Sequence, residues 1–374
     1  MAVFVHRLSR RSLLTSGVMA LRALADEPRG PKGAIFESDW RRYPDPATEL
    51  DVYRLTDPSY RSTLPSYSNR IISRNSGFLL FCCDRGGSPQ AFRMDLKTGE
   101  TRQLTDRKDL DGSSLNLLPD GRSFCYFAGR TLCLANLGNL RDREIYAVPE
   151  EWERSPGLCV AADSAHAIFA ERGGPGSRFR SVAWAQGAAR TILETPEAIA
   201  DPIERPLRGQ ILYRDGGQGV WLVNGDGRQN RRLKLAPGRI GPANWAPDGR
   251  TLLYLNYPED PRQLNAIREH FPDDGTDKLI ATTSQYVHFG FNRDSSVFVG
   301  ASRNVASPVI LILLRVTRRE LTLCEHKASH PETVAPMFSP DAQRVYFQSD
   351  RDGKPALYSM HVERLVEKIG GEKE

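Results

Sequence analysis

The chain has 374 residues, of which 40% are hydrophobic and 26% are charged, and its formal net charge is +5. This composition is ordinary for a globular protein, and no apolar run approaches the roughly 20 residues that a membrane-spanning helix needs. The small excess of basic residues is mixed with acidic ones, which favours a solvated mixed surface over a dedicated anion site. A nucleic-acid binder is excluded, because no dense basic patch is interleaved with aromatic residues.

Residues 1–25 resemble an export signal. Residues 9–14 (SRRSLL) match a twin-arginine pattern, and residues 23–25 (ALA) offer a small-residue cleavage site. Arg22 interrupts the apolar run between them, so a cytosolic leader is the alternative. The sequence therefore predicts a periplasmic or secreted protein, with a cytoplasmic location as the second interpretation.

From residue 73 onward a short unit recurs about every 40 to 47 residues. It reads Ser-x-Asp-Gly or a close variant and leads into an apolar, aromatic-rich run. A fixed period of this length is typical of repeat architectures and has to be considered before any other motif. The copies begin at Ser73, Leu118, Ala162, Ala246, Asn292 and Ser339, and a degenerate seventh copy lies at 205–209.

Each copy predicts a four-stranded antiparallel meander. In the first copy the strands after the turn are 78–82, 90–94 and 101–105, separated by polar turns. Such a sheet cannot bury both faces alone, but seven sheets arrayed radially pack against their neighbours and close into a ring. The predicted fold is therefore all-β, a seven-bladed β-propeller.

The two ends of the chain predict how the ring closes. The last copy stops near residue 362 without its outermost strand, whereas a strand of that type, 52–56, stands alone before the first copy. We expect this N-terminal strand to complete the last blade. The propeller then spans 26–362, with 26–50 as an extended lead-in and 363–374 as a charged tail.

Motif searches exclude several other classes. The six cysteines show no C-x-x-C spacing, which argues against a zinc ribbon or a redox dithiol, and buried free thiols are favoured over disulfides. No G-x-S-x-G elbow is present, which argues against a serine hydrolase.

Four stretches narrow the fold to a family. They are 43–46 with 52–56, the first blade 79–105, residues 148–152 (VPEEW), and 330–341 with 349–358. Together they resemble the oligogalacturonate lyases over nearly the whole chain, although the blade style alone is shared with Tol-system and dipeptidyl-peptidase-like propellers.

The resemblance implies a chemistry. Such lyases take part in pectin degradation and cleave short oligogalacturonates by β-elimination, in which a base removes the C5 proton of a uronate and the sugar leaves from C4. A divalent ion, manganese in type, sits at the propeller mouth and stabilises the charge that develops on the carboxylate. The implied partner is an oligogalacturonate or a related acidic oligosaccharide, and we expect a monomer.

Three residues match the family's metal-binding positions. His288 and His330 stand where the family has ligand histidines, and Glu332 replaces a further histidine with a group that still ligates a hard cation. Lys327 stands at a ligand glutamine and cannot ligate while charged, and His326 can substitute only if its loop rearranges.

The catalytic positions depart from the family. Pro242 stands where the resemblance implies a histidine, and Gly219 stands where it implies an arginine. Arg214 is the neighbouring candidate for that arginine, although it is not aligned, and the base stays unnamed. Two hypotheses follow: a metal-dependent uronate lyase, or a catalytically degenerate propeller that binds an oligosaccharide or a protein partner at the same mouth.

Three arginines near blade turns have two interpretations. Arg70, Arg293 and Arg351 can contact carboxylates bidentately, or they can be solvated turn residues.

Overall fold

The computed structural model describes residues 31–362 except positions 175, 261, 284 and 305. It is a seven-bladed β-propeller of four- and five-stranded antiparallel sheets, so the predicted fold class is confirmed. The predicted export signal at 1–25 and the charged tail at 363–374 lie outside the described residues. Within the described part, no helix combines the length and the apolar character needed to cross a membrane.

The strands are short and follow one another with few other elements. In chain order they are β1 (Ile35–Phe36), β2 (Arg41–Pro44), β3 (Asp51–Arg54), β4 (Ser62–Thr63), β5 (Phe78–Cys83), β6 (Gln90–Asp95), β7 (Thr101–Gln103), β8 (Leu110–Leu117), β9 (Ser123–Ala128), β10 (Thr131–Asn136), β11 (Asp142–Ala147), β12 (Trp152–Arg154), β13 (Cys159–Val160), β14 (His166–Gly173), β15 (Gly176–Ala183) and β16 (Ala189–Thr195). They continue with β17 (Ile199–Glu204), β18 (Gln210–Asp215), β19 (Val220–Asn224), β20 (Arg231–Arg232), β21 (Arg239–Trp245), β22 (Leu252–Tyr257), β23 (Ala266–Phe271), β24 (Thr276–Thr282), β25 (Tyr286–Phe291), β26 (Val297–Ser302), β27 (Val309–Leu314), β28 (Glu320–Glu325), a 3₁₀ helix (Pro331–Thr333), β29 (Met337–Phe338), β30 (Arg344–Ser349) and β31 (Ala356–His361).

Consecutive strands form the blades. Blade 1 contains β4–β7, blade 2 β8–β11, blade 3 β12–β16, blade 4 β17–β20, blade 5 β21–β24, blade 6 β25–β28 and blade 7 β29–β31. The N-terminal segment joins the first and last blades, since β1 pairs with β7 and β3 pairs with β31, with Val52 opposite Met360. The stretch expected to be an extended lead-in therefore carries two short strands, β1 and β2, because their backbone groups pair with the outer edges of blades 1 and 7.

The recurrent turn has one positive-φ residue at the same place in six of the seven blades. The residue whose backbone N–H closes each of these turns has a positive φ; these residues are Ser76, Gly121, Ser164, Gly249, Ser295 and Ala342. In blade 4 the N–H of Arg208 closes the turn, and the positive φ values are at Leu207 and Gly209 instead. In blade 2 the aspartate before Gly121 caps the turn: the Asp120 carboxylate accepts hydrogen bonds from the backbone N–H groups of Arg122 and Ser123. The degenerate copy at 205–209 thus differs from the other six in backbone conformation as well as in sequence.

The core lies between neighbouring blades. Because each sheet is covered on both faces, its middle strands are continuous apolar runs; every residue of β26 and β27 is buried. A side chain of this type contributes about 1.5–3 kcal/mol when it is fully buried. All six cysteines are buried free thiols, as predicted.

The central channel has two distinct ends. At the end that we call the crossover face, the chain arrives from the previous blade and the inner strand begins. At the opposite end, the turn face, the inner strand ends in the recurrent turn. Irregularities interrupt the inner strands β17, β21 and β25. The inner strand of blade 1 has the widest interruption: residues 64–70 lie between β4 and Ile72, both of which pair with β5.

Candidate functional site in the central channel

Tyr67 divides the channel. It lies in the interruption of the blade 1 inner strand, and its hydroxyl is 3.3 Å from the carbonyl oxygen of Ala243, to which it donates. The same hydroxyl accepts a hydrogen bond of 3.4 Å from the Ala243 backbone N–H in blade 5. Its ring meets the His288 ring of blade 6 edge-on, with centroids 5.2 Å apart. One side chain therefore links three blades and separates the two ends of the channel.

Burial keeps the Tyr67 phenol protonated. Loss of water around the hydroxyl raises its pKa, the nearby Arg214 guanidinium opposes that rise, and the more distant Asp201 carboxylate adds to it. At neutral pH this group is therefore a hydrogen-bonding partner and not a proton acceptor.

Arg214 lies at the crossover side of Tyr67. It is in β18 opposite Val220, and its guanidinium donates to the carbonyl oxygens of Ile240, at 3.2 Å, and of Gly241. Both carbonyls belong to the irregular part of β21, where the regular ladder is interrupted and carbonyls are left for a side chain. The charge of Arg214 is thus held at the channel by two backbone contacts.

Gly219, where the resemblance implies an arginine, lies against the Asp215 carboxylate, which would have to move to accommodate a side chain here. Its backbone N–H donates to the Asp215 carboxylate at 2.6 Å, and a Cβ built on it would lie 2.7 Å from that carboxylate. The hairpin between β18 and β19 is tight at this point, and Arg214 is opposite the next residue along, Val220. The role that the sequence suggested for Arg214 stays a prediction, but its position is next to the expected one.

Asp201 is a site residue that the sequence did not reveal. It lies in the irregular part of β17 with a φ of 53°, in the left-handed region that aspartate tolerates better than most residues. Although its side chain reaches solvent, the channel walls raise the pKa of its carboxyl, and Arg214 opposes this rise. No motif surrounds Asp201; an Asp-Pro pair within an inner strand is the one sequence signal.

His288 is held neutral. The irregularity between Tyr286 and His288 adds one residue to β25, and the His288 side chain is 7% exposed. Burial lowers its pKa to about 4, so the imidazole is uncharged at neutral pH. Its Nδ1 atom is buried and has no hydrogen-bond partner among the described residues. An unpartnered neutral imidazole nitrogen is a chemically competent ligand or proton acceptor.

His330 and Glu332 form an exposed pair. His330 precedes the 3₁₀ helix and Glu332 lies in it, with the imidazole Nδ1 3.7 Å from the carboxylate and side chains that are 73% and 60% exposed. The helix contacts β25, the strand that carries His288. The pair is thus near the blade that carries the third predicted ligand but is turned toward solvent.

The two neighbouring candidates are engaged elsewhere. His326 is fully buried, with its Nε2 donating to the Ser302 carbonyl at 3.0 Å while its Nδ1 accepts from the Ala328 backbone N–H at 3.0 Å. Lys327 forms an ion pair of 2.7 Å with Glu325. Neither side chain is available to the predicted metal site in this arrangement.

The predicted metal ligands do not form a ligand set as they stand. Among residues 31–362 that the structure describes, no group of three or more His, Cys, Asp or Glu side chains is placed to hold a metal ion. His288 lies against Tyr67, whereas His330 and Glu332 are exposed on the 3₁₀ helix. The metal site at His288, His330 and Glu332 therefore stays a prediction.

The crossover face also carries exposed arginines. Arg239 stacks on the Tyr257 ring at 3.9 Å from its centroid, and Arg303 and Arg214 are close enough to lower the pKa of that tyrosine against the effect of burial. Tyr257 is fixed by a 2.8 Å hydrogen bond to the Val287 carbonyl. The face thus presents several cations to an approaching anion.

The three arginines near blade turns have different positions. Arg351 donates to the Glu325 carbonyl at 2.7 Å and stacks on Tyr43, which is a structural role. Arg70 and Arg293 instead line a cavity of about 630 Å³ at the turn side of Tyr67, together with Pro242. Pro242, which stands at the expected catalytic histidine, is thus in the channel wall but has no side-chain proton to exchange.

Two curated proteins are similar to the chain over most of its length. An oligogalacturonide lyase of Pectobacterium atrosepticum is 25% identical over 380 residues, which cover 87% of this chain and 97% of that protein. An oligogalacturonate lyase of Dickeya dadantii is 24% identical with the same coverage. No family model matches the chain.

Solved structures are similar in fold. An oligogalacturonate lyase in complex with manganese superposes with a TM-score of 0.83 at 23% identity, covering 88% of this chain and 98% of that one. An oligogalacturonate lyase of Vibrio parahaemolyticus superposes with a TM-score of 0.84 at 23% identity, covering 90% and 100%. The whole propeller, and not a subset of blades, is shared with these proteins.

Proposed function

We propose that the chain is a lyase that cleaves short oligogalacturonates or a closely related acidic oligosaccharide, because it is similar over most of its length to proteins named oligogalacturonate lyase. The reaction is a β-elimination at the crossover end of the channel. The observation that carries this proposal is the meeting of Arg214, Asp201 and Tyr67 at that end, on elements from blades 4 and 1.

Arg214 is the proposed carboxylate-binding group. A guanidinium presents N–H donors in a planar fork that matches a carboxylate. In this position it would neutralise the charge that grows on the uronate carboxylate when the C5 proton leaves. The exposed Arg239 and Arg303 would favour the approach of further uronate units of the same chain.

Asp201 is the proposed base. Elimination requires a group that accepts the C5 proton while the C4–O bond breaks. A C4–C5 double bond forms, and the departing oxygen takes up a proton. A carboxylate whose pKa is raised by burial accepts a proton more readily than an ordinary one, and the Arg214 guanidinium opposes part of that rise. Tyr67 is protonated and cannot take this role.

A divalent ion belongs to this proposal as a requirement to be tested, without an assigned step. The manganese-bound lyase supports it by similarity of fold. The unpartnered Nδ1 of His288 supports it from this chain, whereas the exposed positions of His330 and Glu332 do not. Dependence on added manganese and on His330 would distinguish a metal-assisted reaction from one that Arg214 assists alone.

The second candidate is a propeller that binds the oligosaccharide without cleaving it. Two observations favour it: Pro242 stands at the position of the expected histidine, and Gly219 stands at the position of the expected arginine. Both candidates predict binding at the crossover face, and only the first predicts product.

The test is ultraviolet absorbance of the unsaturated uronate formed from digalacturonate, with and without manganese. We expect product from the wild type and at least about a hundredfold less from Arg214→Gln, because a hydrogen-bond donor aimed at a developing charge contributes roughly 10²–10³-fold. The matched control is Arg228→Gln, which removes the same charge from an exposed site in blade 4, next to β20. Digalacturonate binding without product in any metal would support the binding-only candidate.

A further inference from the structure

The turn end of the channel is a cavity with its own lining. About 630 Å³ of space lies on the turn side of Tyr67, and a second cavity of about 360 Å³ adjoins it, with Arg70, Arg74 and Asn244 lining both. These volumes fall in the range that accommodates small-molecule ligands. The residues of the crossover site, Arg214, Asp201 and His288, do not line either cavity.

Three arginines around this cavity lack acidic partners. Arg70, Arg74 and Arg293 line it, and within the described part of the chain none of them forms an ion pair. All three side chains are exposed, so their charges face the space at the turn end of the channel. Burial and the neighbouring charge of Arg74 both lower the pKa of Arg70, so positive charge is concentrated at this point.

The repeat shows that these arginines are exceptions. Arg74 and Arg293 occupy the second position after the inner strand of blades 1 and 6. The corresponding residues of the other blades carry no charge; they are Pro119, Ala162, Pro206, Pro247 and Pro340. The turn itself does not require arginine, because the same backbone conformation forms with proline at that position.

Nearby carboxylates do not neutralise the arginines directly. Asp294 accepts hydrogen bonds from Ser296, and Asp341 accepts them from Ser339 and Gln343, so both are used in their own turns. Glu204, in the adjoining cavity, accepts a 2.6 Å hydrogen bond from the Ala162 backbone N–H, and burial raises its pKa to about 7.

The remaining wall suits an organic ligand more than an inorganic one. Aromatic rings of Tyr67, Phe289 and Phe291 line the cavity beside the arginines. The side chain of Asn244 accepts a hydrogen bond from the Trp245 backbone N–H through its oxygen, and its NH₂ group has no partner among the described residues. Apolar faces and one amide donor lie beside several cations, a combination that matches carboxylates on a hydroxylated carbon skeleton.

We propose that the turn end of the channel binds a small polycarboxylate bearing hydroxyl groups, with Arg70, Arg74 and Arg293 paired to its carboxylates and the aromatic wall against its carbon skeleton. This site is separated from the crossover site by Tyr67 and does not depend on the proposed lyase activity. A uronate disaccharide and a hydroxylated aliphatic tricarboxylate such as citrate share this chemistry.

The test is isothermal titration calorimetry of the full chain with digalacturonate, citrate and inorganic sulfate. We expect one or both organic acids to bind and sulfate to bind at least about tenfold more weakly, because a single small anion cannot reach several arginines at once. The organic acid whose binding is weakened more by Arg74→Gln/Arg293→Gln identifies the source of the ligand at the turn end. Sulfate binding as tightly as both acids, or no binding of either acid at millimolar concentration, would overturn the proposal.

Variants locate the bound anion. The double variant Arg74→Gln/Arg293→Gln should weaken polycarboxylate binding by roughly tenfold or more while the melting temperature stays unchanged, because both side chains are exposed in turns. The control Arg228→Gln/Arg232→Gln removes the same charge at the outer edge of blade 4, where both side chains are exposed, and should bind as the wild type. Arg214→Gln should retain citrate binding, although it should weaken digalacturonate binding at the crossover side. Loss of citrate binding in Arg214→Gln with retention in Arg74→Gln/Arg293→Gln would place the anion at the crossover side and refute this assignment.

Discussion

The two ends of the channel are built from the same seven inner strands but carry different chemistry. At the crossover end a guanidinium, a carboxylate of raised pKa and a neutral imidazole lie around Tyr67. At the turn end, arginines without acidic partners face an aromatic wall. A site that holds both a cation and a proton acceptor is able to run acid–base chemistry, whereas one that holds mainly cations is suited to binding.

The difference arises where the repeat is broken. Six of the seven turns share one backbone conformation, and the apolar runs between blades are alike, so these parts only build the ring. Asp201 and His288 lie at or beside irregular positions of their inner strands, and Tyr67 lies in the long interruption of the blade 1 strand. Irregularities of this kind re-aim side chains, which explains their place at a functional site.

The largest effect that we expect concerns the base. Asp201→Asn should lower the rate of unsaturated product formation by roughly 10²–10⁴-fold, the usual contribution of a positioned proton acceptor. The KM for digalacturonate should change little, because Arg214 and the exposed arginines remain. The measurement is the steady-state rate by ultraviolet absorbance, with circular dichroism to verify folding. If Asp201→Asn kept the wild-type kcat, Asp201 would not be the base, and the proposed difference in chemistry between the two ends would be refuted.

Tyr67→Ala should join the two ends. We expect a loss of about 3–5 kcal/mol of unfolding free energy, because the variant removes an aromatic ring from between three blades and leaves a void. Urea denaturation measures this loss, and Tyr67→Phe is the matched control, which should lose only about 1 kcal/mol with the hydroxyl contacts. If Tyr67→Ala were as stable as Tyr67→Phe, the ring would not hold the channel closed.

His288 should make the protein sensitive to acid. Its pKa is about 4 in the folded chain and 6.5 in a model peptide, so its contribution to stability is complete above pH 6.5 and is lost as the pH falls toward 4. The expected loss is about 3 kcal/mol for this buried group. His288→Leu should lack that part of the pH dependence, so the difference in unfolding free energy between variant and wild type should change by that amount between the two pH values. A constant difference would show that the imidazole is already charged or exposed.

Glu204 should have a smaller effect of the opposite sign at the turn end. Its folded pKa is about 7 against an ordinary glutamate value of 4.5, so the wild type loses stability as the pH rises from 4.5 through 7. Glu204→Gln keeps an oxygen for the Ala162 N–H and removes the charge, and should melt a few degrees above the wild type at alkaline pH and close to it at acidic pH. Scanning calorimetry measures this gap, and a gap independent of pH would contradict the raised pKa.

The sequence by itself determined the ring. A repeated turn followed by apolar runs predicts antiparallel meanders, and only mutual packing of seven such sheets buries both faces of each, so the number of copies sets the number of blades. Local sequence was enough because every blade is built from neighbouring residues. It also singled out His288, Arg214 and the arginines at 70 and 293 as residues of interest.

Only the tertiary structure decided what these residues do. Asp201 and Tyr67 have no motif, and they are brought to Arg214 by ring closure between blades 1 and 4 and by irregular backbone that pairing patterns do not predict. The same closure places Arg70, Arg74 and Arg293, from blades 1 and 6, around one cavity. Sites in the channel are formed by side chains distant in sequence, and their electrostatics depend on burial, which no single blade possesses before the ring is complete.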